Sequence, residues 1–490
     1  MRNKQRIYEK IGIRLILGLG VLLRIVIFLQ NHSIQLDEAN LVRNIIEKPF
    51  GNFFQSLDYQ QYAPPLFLVI EKANTLLFGP SEYALRLFPL LVGIGSLFLF
   101  YQLAKKLSIG GISMLFVLFV FSFSEYYWHY ANEAKQYSSD VFISLLLTYL
   151  ALTEKRNFDV LFALKWSAIG IIAVWSSMPA VFVLAGVGFY FFYQYWTGEK
   201  TGKHLHLFLT GGLWLLAFGV YYFSILQSDM ADNHLQAYHR EYFLKLPLSI
   251  DAIQQDIAIL LRLLTTTIGH TAIALGVGFI ALIIGLVSLL RKDKKAVLLI
   301  FAPVFSVLVT SVLHKYSLIP RLTLFFTPLL LLIIGLGVQL IFTKTNRWQK
   351  IIFGLLLIAT AGLHDGIKHL WQPYNISDIK SALHHIQEEW QSGDALFVNH
   401  ETQPAFYYYA QLHPGRQEYR FEPVVLGSWN TDNLLQSIPS VPRLWVLHSH
   451  LISQTARQKR ETEINILSRK CKIQKEWKDV GVGVVLMSCR

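Results

Sequence analysis

Residues 11–40 read IGIRLILGLGVLLRIVIFLQNHSIQLDEAN. About twenty mostly apolar residues, behind the basic opening MRNKQR, give way within a few polar residues to the acidic pair Asp37–Glu38. That length of apolar chain matches a bilayer's hydrocarbon core, about 20 helical residues thick. No small-residue cleavage site follows, and Arg24 interrupts the run, so it reads as a retained signal-anchor helix with a cytoplasmic N-terminus.

The rest of the chain repeats the theme. Of 490 residues, 53% are hydrophobic, 14% aromatic and only 16% charged; soluble domains carry about 25% charged residues. Apolar runs begin near Ile11, Tyr83, Gly110, Ser139, Leu161, Pro179, Leu205, Thr271, Ala296, Arg321 and Ile351. A multi-pass α-helical membrane protein of about eleven spans is expected. Alternate gaps hold Lys105 and Lys106; Lys155 and Arg156; Lys200 and Lys203; RKDKK at 291–295; and Lys344, Arg347 and Lys350. Together with the N-terminus they form one basic, cytoplasmic side, and an odd span count puts the C-terminus outside. The net charge of +12 is thereby accounted for by loops and anionic headgroups, without nucleic acid. No P-loop, GxGxxG or zinc-type Cys/His spacing points to a soluble nucleotide or metal module.

Residues 1–370 thus form an expected membrane domain, with residues 30–82 as its first outer loop. Residues 371–490 change composition. An amphipathic helix in ISDIKSALHHIQEEW, a buried strand after it, a helical AFYYYAQL, the strand RLWVLHSH, a polar helix near 455–468 and terminal strands make a small α/β domain outside the membrane. A hairpin turning near Val480 would set Cys471 opposite Cys489; the pair reads either as a disulfide on that side or as two small unpaired hydrophobes.

Four stretches carry chemistry. In LDEANLVRNIIEK, Asp37 is the expected helix N-cap, worth ~0.5–2 kcal/mol. Adjacent helical side chains diverge, so Asp37 and Glu38 do not flank one bond as a hydrolase pair would; in a catalytic reading one is the base and the other supports it. In YQQYAPPLFLVIEK (59–72) the Pro64–Pro65 pair suits a helix start, which sets Tyr59, Gln61 and Tyr62 at the membrane surface. In SEYYWHYANEAKQYSSD (124–140) an aromatic belt does not explain Glu133, Lys135 and Asp140 packed between two spans, where ionisable groups mark substrate pathways. Arg321, opening a late span, and Arg24 either snorkel or bind a phosphate at headgroup depth.

The order LDEAN, APPLF, RLFPLLVGIGSLFLFYQLAKKL, ANEAKQYSSDVF and IPRLTLFFTPLL resembles the GT-C superfamily of membrane glycosyltransferases. It is most similar to the family-39-like group of protein O-mannosyltransferases and lipid A aminoarabinose transferases, over about residues 10–370. Lys135 stands where that group more often has arginine, and WSSMPAVF (175–182) lacks the group's usual histidine. The resemblance implies sugar transfer from a polyprenyl-phosphate donor to a lipid, polysaccharide or protein acceptor outside the cytoplasmic membrane. It implies Asp37 as base, with Glu38 beside it. It implies Lys135, Arg321 and Arg24 on the donor phosphate, and Tyr59, Gln61, Tyr62 and Tyr137 lining the substrate site. Glu133 either orients Lys135 or the acceptor, or joins Asp37 on a divalent metal. The rival readings are a lipid-linked sugar flippase, which would place its polar groups at the midplane of broken helices, and a scaffold presenting the outer domain.

Overall fold

The computed structural model describes residues 2–227, 237–269, 271–343, 354, 367–411, 419–429 and 433–489. The chain forms two compact units: residues 1–29 with 49–372, and residues 30–48 with 373–490. Each is taken by itself.

The first unit is helical. In chain order it holds α1 (Arg2–Gln30, whose last residue falls in the second unit), α3 (Pro65–Phe78), α4 (Glu82–Lys106), α5 (Gly111–Phe123), α6 (Glu125–Tyr130) and α7 (Tyr137–Thr153). There follow α8 (Val160–Ser176), α9 (Ala180–Trp196), α10 (His204–Tyr221), α11 (Ile250–Ile268), α12 (Ala272–Lys292) and α13 (Lys294–Val312). It ends on a short turn, α14 (Pro320–Thr323), and α15 (Thr327–Thr343). The label α2 belongs to Leu36–Glu47 in the second unit.

Capping sets several of these starts. Ser81 Oγ accepts from Ala84 N at 3.3 Å, Asp159 Oδ1 from Phe162 N at 2.6 Å and Asp293 Oδ1 from Ala296 N at 3.1 Å, each satisfying a donor that the first turn leaves unpaired. Pro65 at N1 starts α3, as the Pro-Pro motif predicts. Where α12 and α15 cross, a Cβ at Gly285 would fall 1.9 Å from the Ile333 carbonyl oxygen, and one at Gly337 1.8 Å from that of Ala281. Only glycine lets the two backbones approach that closely.

Among the described residues, five helices are long and apolar enough to cross a bilayer: Ile7–Gln30, Glu82–Lys106, His204–Leu226, Ala272–Lys292 and Lys294–Val312. Five shorter apolar helices accompany them: Gly111–Phe123, Tyr137–Thr153, Val160–Ser176, Ala180–Trp196 and Thr327–Phe342. They correspond in order to the expected runs. Two differences stand out. The run from Arg321 breaks at α14, so its helix proper begins at Thr327, and the run from Ile351 lies outside the described residues apart from the single position 354. Three of the basic loops meet: Lys200 Nζ donates to the Glu154 carbonyl at 2.8 Å, Lys295 pairs with Glu199, and Lys165 Nζ of α8 donates to Glu154 Oε2 at 2.6 Å.

The second unit is a five-stranded sheet with helices. Its order is β2-β1-β3-β5-β4, with β1 Asp394–Val398, β2 Val424–Leu426, β3 Arg443–His448, β4 Cys471–Asp479 and β5 Val482–Cys489. β2, β1 and β3 run parallel; β5 is antiparallel to β3 and to β4. Around it lie α16 (Ile379–Glu389), α17 (Gln403–Ala410), α18 (Leu434–Ser437) and α19 (Gln454–Leu467). One core packs Ala395 and Phe397 of β1, Leu444 and Val446 of β3, Leu434 of α18 and Ile464 and Leu467 of α19. The terminal hairpin pairs Cys471 with Cys489, and the two form a disulfide.

This unit also claims α2, in a segment expected to belong to the membrane domain's first loop. Ser33 Oγ donates to Asp378 Oδ1 at 2.9 Å, Tyr409 Oη accepts from Ile34 N at 2.9 Å and Gln30 Oε1 from Tyr374 N at 2.9 Å. The Arg43 guanidinium lies 4.2 Å from the Tyr407 ring centroid, and Ala39, Leu41, Val42 and Ile45 are fully buried. The apolar stripe of α2 therefore faces protein, where an amphipathic helix on a bilayer would face lipid.

Candidate active site

The acidic pair sits in the first turn of α2, where the helix dipole favours carboxylates. The cap is not Asp37. Gln35 is the N-cap residue, and Glu38, at N3 and fully buried, accepts from Gln35 N at 3.4 Å, one half of a capping box. The N-cap position expected of Asp37 is held by Gln35, with Glu38 reaching back to it, and Asp37 stays half-buried in the same turn. A hydrophobic run opened by S/T/D/N is the usual signal for a cap; glutamine at the cap position hides it.

In the first unit, a separate cluster forms at the end opposite the basic loops. The segment before α3 turns through Tyr59 and Gln60, both with positive φ (60° and 54°). Gln61 Oε1 accepts from Lys135 Nζ at 2.7 Å, and Gln136 Nε2 donates to the Tyr62 carbonyl at 3.2 Å. Two consecutive residues of the 131–136 turn thus clasp the Tyr59–Ala63 segment and hold the ammonium of Lys135, itself only 5% exposed. The Tyr62 hydroxyl bonds to that of Tyr221, whose ring lies 5.3 Å from Trp175, which in turn lies 5.6 Å from Phe54.

Arg321 follows Pro320 on the α14 turn. Its Nη2 donates to Tyr238 Oη at 3.3 Å and its guanidinium carbon lies 5.7 Å from that ring's centroid. Burial, and then the Arg321 charge, push the neighbouring His239 down to about 4. Burial also raises the Tyr130 phenol well above its ordinary value, with the charges of Glu133 and Tyr137 adding to this and Arg321 opposing it. Tyr130, Glu133, Tyr137 and Arg321 therefore share one electrostatic neighbourhood. The rings of Tyr130 and Tyr137 are 4.8 Å apart. The buried Tyr316 donates to the Leu322 carbonyl at 2.8 Å, and burial followed by Asp140 and Tyr137 raises its pKa well above the usual value. Tyr130, Tyr238, His239 and Tyr316 were not among the expected site residues, whereas Asp140 was singled out with Glu133 and Lys135. Asp140 had a signal, being a carboxylate in the first turn of an apolar helix; the tyrosines read only as interfacial aromatics.

Two further expected residues have partners within the first unit. Arg24, 1% exposed, donates from Nη1 to the carbonyls of Gly20 and Ser122, both at 3.0 Å, and from Nη2 to Phe121 at 3.4 Å. It meets carbonyls in the last turn of α5 and joins α1 to that helix. Glu133 pairs with His129 at 3.4 Å, and among the described residues no three His, Cys, Asp or Glu side chains gather to hold a metal ion.

Neither a protein-family model nor a curated protein sequence matches the chain. Its fold is nonetheless the GT-C fold, on its likeness to solved structures. The particular likeness is to ArnT from Cupriavidus metallidurans: the crystal structure bound to undecaprenyl phosphate aligns with a TM-score of 0.56 at 11% identity, over 96% of this chain and 97% of that one. The apo crystal structure of the same protein aligns at 0.53 and 12% identity over the same shares. The likeness runs through the α/β unit as well as the helices, so it extends beyond the residues on which the sequence resemblance rests.

Proposed function

We propose that the chain is an inverting glycosyltransferase that moves a sugar from a polyprenyl-phosphate donor to a glycolipid, polysaccharide or protein acceptor on the outer face of the cytoplasmic membrane. The observation that carries this reading is the near-full-length likeness to a structure holding undecaprenyl phosphate. In the reaction, the acceptor oxygen attacks the anomeric carbon from the side opposite the phosphate. The bond from that carbon to the phosphate oxygen breaks, and its electron pair leaves with the polyprenyl phosphate. The acceptor proton passes to Asp37, a general-base contribution typically of about 10²–10⁴-fold. Leaving as a phosphate, the carrier needs positive charge more than a general acid; Lys135, held by Gln61, and Arg321 supply it. Glu38 supports the turn that carries Asp37, and Tyr59, Tyr62 and Tyr137 line the substrate.

The test uses purified protein with radiolabelled polyprenyl-phosphate sugar and an envelope extract. Release of polyprenyl phosphate with label on a new acceptor supports the transferase. Movement of intact donor across a liposome bilayer without consumption supports the flippase and contradicts it.

A further inference from the structure

The helix α11 (Ile250–Ile268) stands between two spans, in a stretch where the sequence shows no span of its own. It carries Asp251, Asp256 and Arg262 and is not among the helices apolar enough to cross a bilayer. The span before it, α10, begins just after Lys203, and the span after it, α12, ends on Arg291 and Lys292. The chain that joins their other ends, α11 included, therefore lies at the end opposite the basic loops.

Three faces run along α11. Ala252, Ile259, Leu263 and Thr266 are buried and, at about 100° per residue, fall on one arc. Asp251, Ala258 and Arg262 are exposed and share a second, mostly polar arc. Ile250, Ile253, Ile257, Leu260 and Leu261 are exposed and share a third, also about 100° wide. A helix on a water-bounded surface turns its apolar stripe to the core and its polar side outward. Here the core-facing arc is already filled, and an apolar stripe remains outside it. The approach to the helix adds Leu246 and Leu248, the latter 86% exposed.

Contiguous apolar surface of this kind marks an interaction face, and its neighbours say which. α11 packs on α12, a span whose residues Ile273, Phe279 and Ile280 are exposed and apolar as well. An exposed apolar stripe bordered by an exposed polar one is the pattern of a helix lying in the interface plane of a bilayer.

Side chains of α11 also grip the strap that leads into it. Gln255 Nε2 donates to the carbonyls of Glu241 at 3.4 Å and Phe243 at 3.5 Å, and Asp256 Oδ1 accepts from Lys245 N at 2.9 Å. The Arg262 guanidinium carbon lies 5.4 Å from the Tyr242 ring centroid. Leu244 N donates to Ser311 Oγ at 3.0 Å, and Leu318 N, just ahead of Arg321, to the Tyr242 carbonyl at 3.0 Å. The same strap carries Tyr238, whose hydroxyl accepts from Arg321.

We propose that α11 lies in the plane of the bilayer, in the leaflet opposite the basic loops, with its Ile250–Leu261 stripe among the acyl chains, and that it anchors to that leaflet the strap that brings Tyr238 to Arg321. That Arg321 thereby meets a carrier's phosphate rests on the transferase reading; the seat of the helix does not.

The experiment uses the full chain in phosphatidylcholine nanodiscs. Cys471 and Cys489 are joined, so Leu248→Cys, Ile257→Cys and Ala258→Cys, made one at a time, each carry a single thiol-reactive fluorophore. A nitroxide on the lipid acyl chain should quench the first two severalfold more than the third, and aqueous iodide should do the reverse. Strong iodide quenching at Ile257→Cys would mean that the helix stands in water. Protection there from both quenchers would mean that protein, a second copy included, covers the stripe. Equal nitroxide quenching at positions 257 and 258 would mean that the helix is immersed on all sides. Each of these results overturns the seat. Ile257→Asn should speed hydrogen exchange at the Leu244 and Lys245 amides severalfold and leave α12 as before; unchanged exchange, or a rise shared by α12, overturns the hold on the strap. A seated helix in a protein that consumes no donor would overturn the transferase reading and leave the seat standing.

Discussion

Replacing Lys135 by methionine keeps most of the side chain's length and removes its charge. The ammonium is 5% exposed and anchored by Gln61 at 2.7 Å, so it is desolvated and aimed before any donor arrives. A hydrogen bond to a charged group is worth about 1.5–3 kcal/mol, which at 1.4 kcal/mol per factor of ten corresponds to a donor affinity lower by roughly 10- to 150-fold. Gln61→Leu keeps the charge and removes its anchor, so its effect should be smaller and should shrink further when Lys135 is already methionine. The assay is equilibrium binding of radiolabelled polyprenyl phosphate to purified Lys135→Met, Gln61→Leu and the double variant, with thermal unfolding checked in each. Unchanged affinity in Lys135→Met, or strictly additive losses in the double variant, would refute the assignment of Lys135 to the phosphate and of Gln61 to holding it.

Arg24→Met should lower thermal stability, because each orphaned carbonyl costs about 1–3 kcal/mol, while donor affinity holds; the reverse pattern would restore a phosphate role. Replacing Cys471 and Cys489 together by serine frees a loop of sequence separation 18 and should destabilise the α/β unit by about 2–4 kcal/mol, read as a lower unfolding midpoint that reductant reproduces in the native protein. His239 titrates near 4 when folded against an ordinary 6.5, so the unfolded chain takes up the proton first. Its contribution is intact above pH 6.5 and is lost as pH falls from there toward 4. The unfolding midpoint of His239→Gln should accordingly drop less between pH 7 and pH 5 than that of the unchanged protein, and equal drops would contradict the stated environment.

Ten of the expected apolar runs were legible because hydrophobic length is a local property, and so was the hairpin that joins the cysteines. What the sequence hid depends on contacts between distant residues. Lys135 meets Gln61 across 74 positions, and Arg24 meets Ser122 across 98; nothing near either residue in the chain announces its partner. Arginine inside an apolar run reads as a snorkelling or ligand-binding group until α5 is seen to end its carbonyls against it. The short β2 carries only Val424–Leu426, too few residues for an alternating pattern. The membership of α2 in the α/β unit was hidden because an amphipathic helix after a membrane span looks the same whether its apolar stripe faces lipid or protein.

The capping result separates the two acids that the sequence left side by side. Glu38 takes part in the helix start, and the base we propose is Asp37. The decisive measurement is the turnover of labelled polyprenyl-phosphate sugar by Asp37→Asn and Glu38→Gln, each at normal membrane levels. The account predicts that Asp37→Asn loses at least about 10²-fold in kcat with donor affinity kept, while Glu38→Gln, whose amide oxygen can still accept from Gln35, retains most of its activity. Near-normal turnover by Asp37→Asn would contradict it.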